Sequence, residues 1–382
     1  MSANEQILTN ARLVLEDEVV TGSLVMRNDL IAGLDAAPSR APGAIDCDGD
    51  YLLPGLVELH TDNMEKYFQP RPKVAWPSRQ AALAHDAQMA ASGITTVFDA
   101  VSIGDVDEQS MRHGALHEMV GALSGIVDDG LARVDHRLHL RCEVCHPETL
   151  ARFDELADAP LLGLVSLMDH APGQRQFVSL DAYRTYYQGK HGLDDRALEA
   201  FIANQLSNSE SYSAEHRRLI AERCRTRGLA LASHDDATIA HVAESLEYGT
   251  RVAEFPTTRE AAEASHRHAM AVMMGAPNVV RGGSHSGNIA AAELVRLGVL
   301  DILSSDYYPA ALLDAVFRVA EMDGGYSLPR AVATATRNPA AAVGLEDRGR
   351  LAQGLRADLL RTRLVDGHPL VQRVWSAGRQ VH

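Results

Sequence analysis

Residues 52–63, LLPGLVELHTDN, hold the pattern on which the reading of this chain turns. Pro54 and Gly55 interrupt the backbone just before an apolar run that ends on His60, Asp62 and Asn63, with Glu65 close behind. A short apolar run punctuated in this way reads as a strand covered on both faces, the kind found in parallel sheets. Residues two apart in a strand share a side, so His60 and Asp62 project together. An imidazole and a carboxylate from one strand end suit a divalent metal.

Seven more runs of similar texture follow: ITTVFDAV (94–101), RLHLRCEVC (137–145), LLGLVSLMDH (161–170), GLALASHDD (228–236), TRVAEFP (250–256), NVVRGGSH (278–285) and DILSSDYY (301–308). Helical stretches lie between them, among them SRQAALAHDAQMAASG (78–93) and SAEHRRLIAERCRTRG (213–228). Strand and helix in alternation is the signature of a parallel sheet. Eight such units predict an α/β fold, a TIM-like (β/α)8 barrel, over residues 54–344. The flanks differ. ILTNARLVL (7–15), GSLVMRNDLIAGL (22–34), RADLLRTRL (356–364) and VQRVWSAGRQV (371–381) read as short strands broken by turns. Residues 1–53 and 345–382 are therefore expected to join in one small β-sandwich domain.

Barrels of this kind carry their chemistry at the C-terminal ends of the strands. Those ends are polar here: His60 and Asp62, Glu143, His170, His234 and Asp306. Asp169, Asp235 and Asp236 flank the two later histidines and are placed to accept the second imidazole N–H, which would fix the tautomer. Asp306 suits a catalytic carboxylate that takes a proton from a metal-activated water, although the same residue would serve as a helix N-cap.

Composition narrows the partners. A formal net charge of −15 argues against nucleic acid, whose backbone calls for clustered Lys and Arg. No basic region followed by an apolar core opens the chain, and no apolar stretch approaches the roughly 20 residues of a membrane span. The expectation is a cytoplasmic protein with no membrane partner; a homo-oligomer stays open. Cys47, Cys142, Cys145 and Cys224 are too few for a disulfide framework, and the CxxC at 142–145 has no second pair to complete a zinc ribbon.

PGLVELHTDNMEKY (54–67), the strand-end His and Asp residues and the closing GRLAQGLRADLL (349–360) resemble the amidohydrolase superfamily. In that family a first-strand HxH pair, a bridging ligand, two later histidines and an eighth-strand Asp hold one or two metals. This chain departs from it with HxD, placing Asp62 where a second histidine would stand. HTDNMEKY (60–67), the run WPSRQAALAHDAQMAASGITTVFDAVSIGD (76–105) and MDHAPGQRQF (168–177) are similar to a branch that hydrolyses a ribose 5-triphosphate in the carbon–phosphorus lyase pathway. The resemblance spans essentially the whole chain.

What the resemblance implies is specific. The metal ligands would be His60, Asp62, Glu143, His170, His234 and Asp306, with Asp306 also catalytic. Many relatives bridge two metals with a carbamylated lysine, but lysine occurs here only at Lys66, Lys73 and Lys190, all in segments read as loops. A carboxylate bridge is left, and Glu143 is the best placed. Glu254 stands where relatives often carry a histidine, and ligand, supporting group and plain structural carboxylate all stay open for it. Two divalent ions are expected, zinc foremost, with manganese or iron as alternatives.

The substrate would be a small phosphorylated molecule. Its candidate binding residues are Asn63 and Lys66 after the first strand, Arg175, Gln176 and Lys190 in the long segment after the fourth, and Arg281 and His285 in RGGSHSGN (281–288). The function implied is metal-dependent hydrolysis of a phosphoanhydride on a ribose 5-triphosphate, releasing pyrophosphate. The competing reading is an amidohydrolase acting on a C–N bond, such as a cyclic-amide hydrolase, deacetylase or deaminase.

Overall fold

The computed structural model describes residues 5–104, 111–175, 183–184, 187–188, 194–284 and 287–382. Its strands fall in two sheets. The N-terminal part contributes β1 (Glu5–Val14), β2 (Val19–Arg27), β3 (Leu30–Asp35), β4 (Ile45–Asp46) and β5 (Tyr51–Pro54). Next come β6 (Leu56–Thr61), β7 (Ile94–Ile103), β8 (Asp135–Glu143), β9 (Leu162–Met168), β10 (Ala230–His234), β11 (Val252–Glu254), β12 (Ala271–Gly275) and β13 (Ile302–Ser304). The C-terminal part adds β14 (Leu359–Val365), β15 (His368–Ser376) and β16 (Arg379–Gln380).

The terminal strands make one sheet in the order β16-β15-β14-β5-β1-β2-β3, with β4 beside β1. Pairing is antiparallel except where β1 meets β4 and β5. Leu8, Leu13, Leu24, Met26, Ile31, Leu52, Leu359 and Trp375 form its core, so both ends of the chain contribute to one apolar cluster. The second sheet is parallel, in the order β13-β12-β11-β10-β9-β8-β7-β6, with helices in its connections: the eight-unit α/β architecture of a TIM-like barrel. Gly55 alone separates β5 from β6, and a Cβ there would lie 2.2 Å from Thr95 Oγ1. Only glycine fits so close an approach.

By packing, the chain forms two compact units. One takes Met1–Asp99, Met119–Arg137 and Met274–His382; the other takes Ala100–Glu118 and Leu138–Met273. In the first, β6 pairs with β7 from Leu56↔Ile94 to Thr61↔Asp99, and Thr61 bridges in parallel to Asp306 just past β13. In the second, parallel ladders join β8 to β9, β9 to β10, β10 to β11 and β11 to β12. Every residue of β6, β10, β11 and β13 is buried, as strands covered on both faces require. Thr238 and Thr258 accept from backbone amides at the N-termini of helices Ile239–Glu247 and Arg259–Arg267, which follow β10 and β11.

The seventh strand differs from expectation. It is AVMMG, Ala271–Gly275, while the first half of the NVVRGGSH run, NVVR (278–281), lies in a helix, Ala276–Arg281. Pro277 in the first helical turn presets the backbone, and Gly282 at φ 82° closes the helix in a left-handed cap. Two adjacent valines suggest a strand, but these flanking signals outweigh them. The four cysteines are free and buried. Among the described residues no helix is long and apolar enough to cross a membrane.

Candidate metal centre

In the first unit, strand alternation puts Glu58, His60 and Asp62 on one side of β6 and its extension. Asp306 joins them through the backbone, where Asp306 N donates to His60 O at 3.1 Å and Asp62 N donates to Asp306 O at 3.0 Å. Asp306 itself sits at φ 55°, a left-handed conformation that aspartate tolerates better than most residues. The outcome is a group in which ligand atoms of His60, Asp62 and Asp306 all lie within 4.8 Å of one another. Beneath it, fully buried Glu58 accepts from His60 N and Ser305 N. Burial pushes its carboxyl up to about 7, against the pull of those amides.

The second unit holds a matching group. His170 follows β9 and His234 closes β10, and their rings meet edge to face at 5.7 Å between centroids. Asp235, also left-handed at φ 58°, lies against both, its Oδ2 at 3.7 Å from His170 Nε2 and 3.4 Å from His234 Nε2. Each ring is held from its other nitrogen: His170 Nδ1 donates to Glu143 Oε2 at 2.5 Å, and His234 Nδ1 to Glu254 Oε2 at 2.5 Å. His170 N also donates to Glu143 Oε1 at 2.9 Å, so both glutamate oxygens serve this residue. These glutamates, not the neighbouring aspartates, therefore set the tautomers. Asp169 is adjacent to His170 in sequence and instead accepts from Arg217, while Asp236 pairs with Arg175 and Ser245.

The donor spacing identifies what such groups accommodate. Two ligands of one ion, each about 2.0–2.2 Å from it, lie roughly 3–3.6 Å apart. The 3.4–3.8 Å separations at His60–Asp62, His170–Asp235 and His234–Asp235 are near that range and longer than an ordinary N–H···O bond. Burial pushes the His170 imidazole down, but the Glu143 and Asp235 carboxylates outweigh it and hold it up to about 10. Both groups fit a divalent cation.

The expected substrate-binding residues are dispersed. Lys66 and Arg281 meet at Tyr307, next to Asp306: Lys66 Nζ donates to Tyr307 O, and Arg281 Nη1 donates to the Tyr307 hydroxyl at 3.4 Å. Both cations are exposed. Asn63 is buried, its amide donating to His85 Nδ1 and Gln88 Oε1. Arg175 is only 3% exposed and ion-paired with Asp236 and Glu244. Gln176, Lys190 and His285 lie outside the described residues. Sequence reading had missed Glu58, although an acid two positions before His60 in an apolar strand was the available signal. It had also left Glu254 open and had read Asp235 only as an acceptor for an imidazole N–H.

A third histidine–aspartate group lies in the first unit, wholly buried. His85 Nε2 donates to Asp99 Oδ1 at 2.5 Å, and His136 donates from Nδ1 to Asp99 Oδ2 at 2.7 Å and from Nε2 to Asp86 Oδ1 at 3.3 Å. Asp86 is completed by Arg133. Burial pushes His136 down, but Asp99 and Asp86 outweigh it and hold the imidazole up to about 9.

Comparisons with known proteins agree with this architecture. Solved structures of the same fold include A. niger ochratoxinase, at 15% identity and TM-score 0.67 over 100% of this chain and 96% of that one. N-acetyl-D-glucosamine-6-phosphate deacetylase from Mycobacterium smegmatis matches at 20% identity and TM-score 0.64 over 99% of this chain and all of that one. Much nearer in sequence is the Alpha-D-ribose 1-methylphosphonate 5-triphosphate diphosphatase of Escherichia coli (strain K12), 54% identical over 98% of this chain and 100% of that protein. Residues 136–382 match the Amidohydrolase family over well beyond half of the sequence. With fold, strand-end donors and sequence in agreement, this chain belongs to the amidohydrolase family.

Proposed function

We propose that this protein hydrolyses α-D-ribose 1-methylphosphonate 5-triphosphate to the 5-phosphate and pyrophosphate, using two divalent metals. The observation that carries the reading is the meeting of Lys66 and Arg281 at Tyr307, beside Asp306. In a chain of net charge −15 with three lysines, two exposed cations bond the residue that follows Asp306, and an anionic substrate would favour such charges. The 54% identity to a diphosphatase supports the same substrate.

One metal is assigned to His60, Asp62 and Asp306 and the other to His170, His234 and Asp235; Glu143, expected from the sequence to bridge the ions, bonds His170 Nδ1 here, so it and Glu254 are assigned to fixing the two imidazoles. Zinc suits this mixture of imidazole and carboxylate, and the carboxylate share also accommodates manganese or iron. When bound, the metals supply positive charge that acidifies a water and neutralises phosphoryl oxygens. Asp306 takes the proton from the attacking water. The new P–O bond forms at the phosphorus nearest ribose, the bond to the bridging oxygen breaks, and pyrophosphate departs as one leaving group. Lys66 and Arg281 hold its oxygens and offset the charge that develops there.

Phosphorus NMR of the purified, metal-loaded protein with this triphosphate tests the reading. Pyrophosphate and the 5-phosphate should appear together in equal amounts. Release of inorganic phosphate alone would overturn the assigned bond. An inert triphosphate alongside cleavage of a cyclic amide or an N-acetyl sugar phosphate would overturn the substrate class.

A further inference from the structure

The seam between β6 and β13 is not an ordinary ladder. At its upper end the two segments are joined by the Thr61–Asp306 bridge and its two backbone hydrogen bonds. Farther down the strands have parted: Val57 N donates to Ala335 O at 2.8 Å, and Leu303 N donates to Thr334 O at 2.9 Å. Between these regions lie His60 N and Ser305 N, both in the buried interior. One side chain serves both. Glu58 Oε1 accepts from His60 N at 2.7 Å, and Oε2 accepts from Ser305 N at 2.5 Å, with Glu58 wholly buried.

We infer that Glu58 is a positioning residue for the metal held by His60, Asp62 and Asp306. A carboxylate is rigid, and its two oxygens have a fixed bite. Accepting one amide from each strand, it sets the spacing between His60 on one side and Ser305, the neighbour of Asp306, on the other. It acts where backbone carbonyls would act in a continuous ladder, at the level where a small change in strand separation displaces ligand atoms. Buried backbone amides require an acceptor, which explains why an acid is tolerated in a strand otherwise apolar up to His60. The inference rests on the metal reading above and assigns Glu58 no contact with the ion or the substrate.

Glu58→Gln offers only one carbonyl oxygen and turns an NH2 toward the other amide. Loss of partners that orient metal ligands typically weakens metal affinity or activity by about 10- to 100-fold. The test measures Zn2+ and Mn2+ affinity of the full-length protein by competition with a chromophoric chelator, together with thermal melting and kinetics on the triphosphate. Glu58→Gln should melt cooperatively, bind one metal equivalent at least about tenfold more weakly, and lose kcat with little change in KM. Excess metal should restore part of the activity. Parental metal affinity, or lost activity that tracks melting temperature and is indifferent to added metal, would overturn the role.

If Glu58→Gln does not fold, Glu58→Asp carries the test. It keeps the charge but is too short to reach both amides, and should weaken metal binding; parental affinity in it is equally decisive against the role. Asp306→Asn, measured in parallel, separates two kinds of failure. If it keeps both metals and full turnover, the metal assignment itself is wrong. If it fails as expected while Glu58→Gln binds metal like the parent, only the inference about Glu58 falls.

Discussion

Two sets of histidines and aspartates in this molecule bring together the same ligand types at different spacing, and either set could hold an ion by proximity alone. Around His85, Asp99 and His136 the side chains stand 2.5–3.3 Å apart, mostly at hydrogen-bond distance, and all are buried. Around His170, His234 and Asp235 the separations open to 3.4–3.7 Å, with His170 one-fifth exposed. At the shorter spacing a proton fills the gap; at the longer one an ion can. Residue type cannot distinguish a buried structural network from a metal centre. Spacing and access can.

The comparison breaks most visibly at Asp306. Asp306→Asn keeps the shape of the side chain but removes the proton acceptor, and turnover of the triphosphate should fall about 10²–10⁴-fold, the usual worth of general-base catalysis. Steady-state kinetics with metal analysis checks this, and a loss below about tenfold would make Asp306 a supporting ligand only. The same metal analysis on His136→Asn should return the parental content; missing metal there would move the boundary drawn between the two sets.

A smaller effect sharpens the contrast in access. Lys66→Ala and Arg281→Ala each remove a cation that bonds Tyr307 and should each raise KM for the triphosphate about tenfold, with metal content unchanged. Unaltered KM in both would leave Tyr307 as the only partner these cations serve.

The smallest expected effect lies in the buried network. His136 has a folded-state value of about 9 against an ordinary 6.5, so its stabilising charge is fully present below pH 6.5 and is lost as pH rises through about 9. The melting temperature of the protein should fall by a few degrees over that interval. In His136→Asn, less stable from the outset, this component should be missing. A parent with no decline across the interval would show that His136 is not held as the cation.

Much of this was legible in the residues. The alternation of apolar runs with helical stretches predicted the parallel sheet, because strand and helix periodicities are local properties of the chain. His60, Asp62, His170, His234 and Asp306 stood out because each closes a strand, where such a fold exposes its donors. One strand is misplaced, read at NVVRGGSH instead of AVMMG, because Pro277 and Gly282 start and close a helix over NVVR.

What tertiary structure alone decided is which groups meet. Glu143 and Glu254 look alike as strand-end acids, but their contacts show each on the Nδ1 of a different histidine. Asn63 and Arg175 read as substrate contacts, and only the fold shows their partners within the protein: Asn63 faces His85 and Gln88, Arg175 faces Asp236 and Glu244. Glu58 was a lone acid in an apolar strand until the parted seam showed two amides in need of one carboxylate. The sequence by itself determined the periodicity, the strand ends and the stock of donors, since these depend on neighbours along the chain. Whether a donor faces a proton, an ion or a substrate depends on partners up to 247 positions away, as for Glu58 and Ser305, and only folding brings those together.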